Sequence, residues 1–290
     1  MPQTILEVCN LNKNYANFSL KDVSFSLKEG TIYGFIGRNG AGKTTTLKCI
    51  YNLVKSDSGE IFYLDEDIQK NEIKAKNEIG LLFGGVDYYP NQKAKTIAKV
   101  TSTFYETWDE ELYLRLLKFF DLDQEKKIKE FSNGMKVKFG LALALSHGAK
   151  VLLLDEPTSG LDPVSRDEVL DYFLKIAQLK KTTILFSTHV ISDLDKCADE
   201  IIYIKEGQIY QNSSVSNFKS EYLHIEGAAE LLDKIDKNMI NRLFVHQGKF
   251  SGLILKNNQS FFPNFTFKEP TLEELMLNIE RGNENEESPF

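Results

Sequence analysis

Short apolar runs alternate with amphipathic stretches along most of the chain, and this pattern predicts an α/β protein. Residues 32–36 and 151–154 are almost continuously apolar, which is typical of strands buried on both faces of a parallel sheet. Residues 5–11 and 23–27 instead alternate between apolar and polar positions, as half-exposed strands do. We therefore expect a buried parallel sheet together with strands that have one solvent face.

The middle of the chain has a helical pattern. Residues 110–120 carry apolar side chains at spacings of three and four positions, which is typical of an amphipathic helix. The helical pattern covers residues 96–131, and a further helix is predicted to end at Ser146. We therefore expect a helical subdomain at about residues 88–145, inserted into the α/β domain.

The pattern changes after Ser214. An amphipathic helix is predicted over residues 272–279, with Thr271 as its N-cap, and the final residues are acidic and polar, as in disordered tails. Short strands are predicted at residues 222–225, 243–246 and 253–255. The predicted division is therefore a main domain at residues 1–215, an accessory domain at 216–281 and a disordered tail at 282–290.

Composition and charge exclude several classes of protein. The apolar stretches are far shorter than the ~18–20 residues that span a bilayer, and the first ten residues do not resemble a secretory signal. Cys9, Cys49 and Cys197 are scattered, so we expect a reducing cytosol rather than a disulfide framework. The net charge is −7 without a basic stripe, which argues against nucleic acid as the main partner.

Residues 37–44 read GRNGAGKT and match the spacing G-x-x-x-x-G-K-[ST] of a phosphate-binding loop. The loop follows a predicted strand and precedes a predicted helix, so its backbone N–H groups can surround phosphate oxygens. Lys43 can reach the outer phosphates, and the Thr44 hydroxyl can bind Mg²⁺. The predicted nucleotide-binding residues here are Gly37, Arg38, Asn39, Gly40, Ala41, Gly42, Lys43, Thr44 and Thr45.

Two acidic residues end the apolar run at residues 151–154. Ligands bind beyond the carboxyl ends of the strands in a parallel sheet, so Asp155 is placed to hold Mg²⁺ beside Thr44. Glu156 is placed to accept the proton of an attacking water. Each acid alone is as well explained by a helix cap or a surface charge, but the pair behind a phosphate-binding loop favours catalysis.

Two further candidates depend more strongly on their context. His189 ends another apolar strand, where a histidine is more often structural. Beside a bound γ-phosphate, however, it is suited to sense the phosphate or to orient water. Tyr15 can stack on an adenine ring, although an aromatic residue taken alone is more often explained by ordinary packing.

Taken together, these motifs resemble the nucleotide-binding subunit of an ABC transporter over about residues 3–215. The loop at residues 37–44, the pair Asp155-Glu156, the sequence SGLD at 159–162 and the sequence STH at 187–189 occur in the family's order. The resemblance implies an α/β fold of the P-loop NTPase class. That fold is the ABC cassette with an inserted helical subdomain, here with a small C-terminal α+β extension.

The resemblance also implies ATP and Mg²⁺ as cofactors and a dimer of two cassettes, identical or paralogous, with two ATP molecules in the interface. Ser132 and Gly134 then belong to the signature that caps the γ-phosphate of the other subunit. Asp162 belongs to the loop that communicates across the dimer. Tyr15 matches the aromatic residue that stacks on adenine.

Two features depart from the family pattern. The signature usually reads LSGGQ, whereas residues 131–135 read FSNGM, and Gly84 stands where the family has a glutamine that contacts Mg²⁺ and the permease. Both departures, and the sequence PTLEEL at 270–275, resemble a bacterial exporter subfamily with separate permease chains. That subfamily includes transporters of antimicrobial and cytolytic peptides, and the resemblance suggests phenol-soluble modulins as one possible cargo.

We therefore expect an ATP-hydrolysing subunit at the cytoplasmic face of the membrane, bound there through a separate transmembrane permease. The permease is expected to dock at residues 84–91 and 96–131. Tyr88 and Tyr89 are the best candidates to replace the missing glutamine in coupling, although packing in the core explains them equally well. A soluble ABC ATPase acting on ribosomes or DNA is the first alternative, but the single cassette and acidic charge disfavour it. A regulatory subunit without hydrolysis is the second, and Glu156 and His189 argue against it.

Overall fold

The computed structural model of the protein describes residues 3–83, 89–263 and 265–281. It divides the chain into two compact units, Met1–Asn212 and Ser213–Phe290, whereas the sequence pattern placed the boundary after residue 215. Gly84, Tyr88 and the tail at residues 282–290, on which three of our expectations fall, lie outside the described residues.

The secondary structure of the described residues follows the α/β pattern. In chain order the strands are β1 (Thr4–Tyr15), β2 (Phe18–Lys28), β3 (Ile32–Ile36), β4 (Ser58–Tyr63), β5 (Glu66–Asp67), β6 (Ile79–Phe83), β7 (Val151–Asp155), β8 (Thr183–Thr188), β9 (Glu200–Lys205), β10 (Gln208–Ser214), β11 (Tyr222–Ala228), β12 (Asn241–His246), β13 (Lys249–Leu255) and β14 (Thr266–Lys268). The α-helices are α1 (Lys43–Ile50), α2 (Glu72–Glu78), α3 (Ala94–Ser102), α4 (Glu110–Phe119), α5 (Asn133–Ser146), α6 (Pro163–Lys180), α7 (Ser192–Cys197), α8 (Val215–Ser220) and α9 (Leu272–Arg281). None of these described helices has the length and apolar character needed to cross a membrane.

A mostly parallel sheet with the strand order β10-β9-β3-β8-β7-β6 forms the centre of the first unit. Every residue of β3, β7 and β8 is buried, which explains their continuous apolar sequences. The register pairs Ile36 with Thr188, and Asp155 with Ser187. Because these strands are parallel, the loops that follow β3, β7 and β8 meet at one edge of the sheet.

A second, antiparallel sheet with the order β2-β1-β4-β5 packs against this framework. Leu6 and Phe25 of this sheet share one buried cluster with Phe35 of β3 and Leu47 of α1. The strands predicted at residues 5–11 and 23–27 left Tyr15 and Phe18 between them, but β1 and β2 extend further and pair Tyr15 with Phe18. The hairpin ladder continues past the alternating apolar residues, which explains why the hydrophobic pattern alone ended the strands too early.

The segment with the helical pattern, residues 96–131, contains α3, α4 and a 3₁₀ turn at Ile128–Glu130, and α5 follows it and ends at Ser146 as predicted. Asp109 begins α4 because its carboxylate accepts a hydrogen bond from Leu112 N at 2.8 Å. The sequence pattern missed α2, since that helix buries only Ala75 and has no apolar stripe.

The second unit is built on an antiparallel sheet with the order β12-β13-β11-β14. Its core contains Ile225, Phe250, Ile254 and Phe262. Helix α9 begins with a capping box, in which Glu274 N donates to Thr271 Oγ1 at 3.2 Å and Thr271 N donates to Glu274 Oε2 at 2.8 Å. The predicted helix and its N-cap are therefore present in the structure.

The turn between β9 and β10 belongs to the mostly parallel sheet. It is hydrogen-bonded both to β2 of the antiparallel sheet and to the loop after β3. Gly207 N donates to Ala41 O at 3.1 Å, and Gly207 O accepts from Lys21 N at 2.8 Å. Gly207 has a φ of +79°, and a Cβ atom there would overlap the carbonyl oxygen of Ser19. A side chain at this position is therefore excluded both by backbone conformation and by space.

We expect Gly207→Ala to lower the free energy of unfolding by at least ~2 kcal/mol, since it adds a clash with the backbone to the cost of a left-handed φ. Gly30→Ala is the matched control, because Gly30 has a φ of +69° but its Cβ would meet Lys181 only at ordinary distances from 3.6 Å. Its loss should be about 1 kcal/mol. Urea unfolding followed by the fluorescence of Trp108, the single tryptophan, measures both. Equal losses would show that the turn does not depend on close approach to Ser19.

Candidate nucleotide-binding site

The phosphate-binding loop connects the buried end of β3 to the start of α1. Gly42 is the N-cap of α1 and has a φ of +116°. A Cβ atom there would lie 2.5 Å from Leu20 Cδ2 and 2.9 Å from Phe18 Cζ. The absence of a side chain at residue 42 therefore lets β2 pack directly against the loop while the loop bends into the helix.

The Lys43 ammonium group is buried within this loop, with the residue only 6% exposed. Its Nζ donates to Gly37 O at 2.7 Å and to Arg38 O at 3.3 Å. These hydrogen bonds connect Lys43 to the first two residues of the loop. Burial lowers the pKa of Lys43, and the nearby charges of Glu156 and Asp155 oppose that shift. The loop therefore holds a cation close to the two acids that follow β7.

The predicted Mg²⁺ ligands are in direct contact. Thr44 Oγ1 donates to Asp155 Oδ2 at 2.7 Å, and Asp155 is 8% exposed. A hydroxyl oxygen and a carboxylate oxygen are the hard donors that Mg²⁺ prefers, and Mg²⁺ usually completes its shell with water and phosphate oxygens. The chemistry of this donor pair therefore fits a magnesium site.

Glu156 has an unusual backbone conformation, with a φ of +50°. Its N–H lies 2.9 Å from Ser187 Oγ and 3.2 Å from Ser187 O, so β8 holds this residue in place. Its carboxylate Oε1 lies 3.4 Å from His189 Nδ1, and both side chains are partly exposed. The structure thus brings Glu156 and His189 together at the same sheet edge as Lys43, Thr44 and Asp155.

Tyr15 lies at the tip of the β1–β2 hairpin and is 47% exposed. Its hairpin partner is Phe18, whose ring lies against Gly42 of the phosphate-binding loop. The ammonium group of Lys13 lies 5.6 Å from the centre of the Tyr15 ring. The hairpin therefore presents an exposed aromatic ring on the element that covers the loop, as stacking on a base requires.

Ser132, Gly134 and Asp162 form a second group, where α5 and α6 begin side by side. Ser132 Oγ caps α5 by accepting from Met135 N at 3.2 Å, and Asp162 Oδ1 caps α6 by accepting from Val164 N and Ser165 N, both at 3.1 Å. The pKa of Asp162 is lowered, first by a hydrogen bond from the Ser165 side chain and then by the bonds from the backbone of Ser165 and Val164. Gly134 is buried at this contact, since a Cβ atom there would lie 3.2 Å from Ser165 Cβ.

Two buried polar residues that organise the site carried no separate role in the sequence analysis. Ser187 Oγ donates to Asp155 Oδ1 at 2.6 Å and accepts from Glu156 N at 2.9 Å, so it touches both acids of the site. Asp193 is 1% exposed and accepts hydrogen bonds from Arg166 Nε at 2.6 Å, Thr158 Oγ1 at 2.7 Å and Thr188 Oγ1 at 3.3 Å. It ties the loops after β7 and β8 to helix α6. Polar residues at the ends of apolar strands were the available signal, but only the strand order identifies their partners.

A buried parallel sheet with a glycine-rich loop, a buried lysine and a hydroxyl–carboxylate pair at one edge defines a nucleoside triphosphatase of the phosphate-binding-loop class. The comparisons with known proteins agree and are more specific. The family model for ABC transporters matches residues 20–159.

The chain is 29% identical to the bacitracin transport ATP-binding protein BcrA of Bacillus licheniformis, over 96% of this chain and 98% of that protein. It is 33% identical to the lantibiotic transport ATP-binding protein SrtF of Streptococcus pyogenes, over 71% of this chain and 89% of that protein. A dimeric ATP-binding cassette bound to ADP and Pi shares its fold, with a TM-score of 0.64 and 22% identity over 73% of this chain and 99% of that chain. The chain belongs to the ABC transporter ATP-binding proteins, and it is an ATPase with the predicted α/β cassette fold.

We expect Lys43→Ala to weaken nucleotide binding itself, because it removes the buried cation that faces the phosphates. Lys48→Ala is the matched control, since Lys48 lies on the same helix and its ammonium group lies over the Phe83 ring instead. Titration with a fluorescent ATP analogue should show a large loss of affinity for the first variant and none for the second. Unchanged affinity of Lys43→Ala would refute the assignment of this residue.

Proposed function

We propose that this chain is the ATPase subunit of an exporter of antimicrobial or cytolytic peptides and that it acts with a separate transmembrane permease at the cytoplasmic face of the membrane. The observation that carries this proposal is the similarity to BcrA, which extends over 96% of this chain and therefore includes most of the second unit. The similarity to SrtF supports the same class of cargo. Phenol-soluble modulins, which the sequence resemblance suggested, remain a prediction within that class.

In this proposal ATP is bound and hydrolysed by the residues at the edge of the parallel sheet, together with Tyr15 of the β1–β2 hairpin. The loop N–H groups and Lys43 hold the phosphates, while Thr44 and Asp155 hold Mg²⁺, which when bound offsets the charge of the phosphates. Glu156 accepts the proton of the attacking water. His189, which lies beside the Glu156 carboxylate, orients that water or senses the γ-phosphate. Tyr15 stacks on the adenine ring.

The second group completes the site of another copy. Ser132 and Gly134 lie at the start of α5, where helix N–H groups and a hydroxyl are suited to bind a phosphate. Asp162 orders the neighbouring start of α6 through its capping hydrogen bonds. The dimeric cassette whose fold this chain shares supports an arrangement of two copies, identical or paralogous.

Exposed apolar side chains in the helical segment support docking of the permease there. Tyr89 is 76% exposed, Phe104 is 73% exposed and Val100 of α3 is 55% exposed. Exposed apolar side chains that form a contiguous patch are typical of surfaces that bind partners. We propose that this segment receives the permease and that Tyr89 contributes to coupling.

We expect Glu156→Gln to retain ATP binding and to lose turnover by about 10²–10⁴-fold, since the amide keeps the shape of the side chain but cannot accept the proton. The variant should accumulate as an ATP-bound dimer, which light scattering after gel filtration would detect. Glu66→Gln is the control, because Glu66 pairs with Lys74 on the surface. Hydrolysis by Glu156→Gln at the normal rate would show that another group is the base.

The export proposal is tested with the permease captured from membranes by the tagged chain and reconstituted with it in lipid vesicles. We expect bacitracin, a lantibiotic or an amphipathic cytolytic peptide to raise the ATPase rate of the complex, since cargo binding to the permease should favour the closed ATPase dimer. Vesicles with Glu156→Gln are the control for background hydrolysis. Stimulation by ribosomes or DNA in the absence of a permease would contradict the proposal.

A further inference from the structure

Ser187 is buried between the two acids at the end of β7. It lies one position before the end of β8 and is 0% exposed, and the register places it directly beside Asp155. Its Oγ lies 2.6 Å from Asp155 Oδ1 and 2.9 Å from the backbone nitrogen of Glu156. One hydroxyl group therefore contacts the side chain of the first acid and the main chain of the second.

The direction of these hydrogen bonds is fixed by chemistry. The Glu156 N–H can only donate, so Ser187 Oγ is the acceptor in that bond. The hydroxyl proton is then directed to Asp155, whose carboxylate can only accept while it is ionised. The result is a chain from Glu156 N–H through Ser187 to Asp155, in which each bond strengthens the next.

Each end of this chain needs the support. The Oδ2 atom of Asp155 accepts a hydrogen bond from Thr44, and its Oδ1 atom accepts one from Ser187. Ser187 therefore fixes the carboxylate through the oxygen that Thr44 does not contact. Glu156 has a φ of +50°, a conformation that non-glycine residues hold only when neighbouring groups enforce it. An apolar residue at 187 would leave Asp155 Oδ1 without this partner and Glu156 without one of its two contacts to β8.

We propose that Ser187 is a positioning residue for ATP hydrolysis, which orients the carboxylate of Asp155 toward Mg²⁺ and simultaneously fixes the backbone of Glu156. This inference rests on the roles proposed above for Asp155 and Glu156. Ser187 touches neither nucleotide nor water in this account and acts only through its two neighbours.

The test is Ser187→Ala, with Ser146→Ala as the matched control. Ser146 is also a fully buried serine, but its hydroxyl donates to Ala142 O within α5. We expect Ser187→Ala to lower kcat by about 10–100-fold and to raise the Mg²⁺ concentration for half-maximal activity by a similar factor. Loss of a residue that is hydrogen-bonded to a metal ligand typically has an effect of this size. Ser146→Ala should change neither value.

A binding measurement separates this role from general loss of structure. The affinity for a fluorescent ATP analogue in EDTA should be unchanged in Ser187→Ala, because Lys43 and the loop are intact. The gain in affinity that Mg²⁺ gives the wild type should shrink. Ser187→Thr, which keeps the hydroxyl, should restore the Mg²⁺ dependence. A normal Mg²⁺ dependence of both binding and turnover in Ser187→Ala would overturn the proposal.

Asp155→Asn and the double variant with Ser187→Ala distinguish this inference from the proposed function. If Ser187 acts through Asp155, the double variant should require no more Mg²⁺ than Asp155→Asn alone. Additive effects would overturn the positioning role and leave the metal assignment intact. An unchanged Mg²⁺ requirement in Asp155→Asn would instead refute the proposed metal site itself.

Discussion

The structure of the site depends on the burial of the Asp155 carboxylate at the end of an apolar strand. A buried charge is costly unless hydrogen bonds or opposite charges compensate it. Here the compensation comes from two hydroxyl groups on different elements, Thr44 at the start of α1 and Ser187 near the end of β8. The need to satisfy this one carboxylate therefore fixes β7, β8 and α1 relative to each other at the edge where ATP is expected to bind.

The same edge concentrates positive and negative groups. Lys43 is held by the carbonyl groups of its own loop, and burial lowers its pKa while Glu156 and Asp155 oppose that shift. A second buried acid, Asp193, compensates its charge through Arg166 and two threonines and ties the loops after β7 and β8 to α6. These buried hydrogen bonds therefore connect the loops that carry Glu156 and His189 to β8 and α6.

Much of this arrangement was predictable from the sequence, and there are physical reasons why the remaining elements and contacts were not. The bounds of β3 were predicted correctly and those of β7 to within one residue, because continuous apolar runs identify buried strands. The partners of Asp155 were only half predicted: Thr44 follows from the loop motif, whereas Ser187 becomes a neighbour only once β8 pairs with β7. Helices α2 and α7 escaped detection because short polar helices have no apolar stripe. Likewise, the pairing of β1 with β2 extends to Tyr15, beyond the residues at which apolar and polar side chains alternate.

Ser132 and Gly134 lie at the start of α5, beside the start of α6, and we propose that they complete the ATP site of a second copy. The most direct test mixes two inactive variants, Lys43→Ala and Ser132→Asp, the second of which keeps a good helix cap while repelling phosphate. A mixed dimer would contain one site with both an intact loop and an intact start of α5. We expect ATPase activity to reappear on mixing. Mixed dimers that form but remain inactive, or full activity of Ser132→Asp alone, would contradict a shared site.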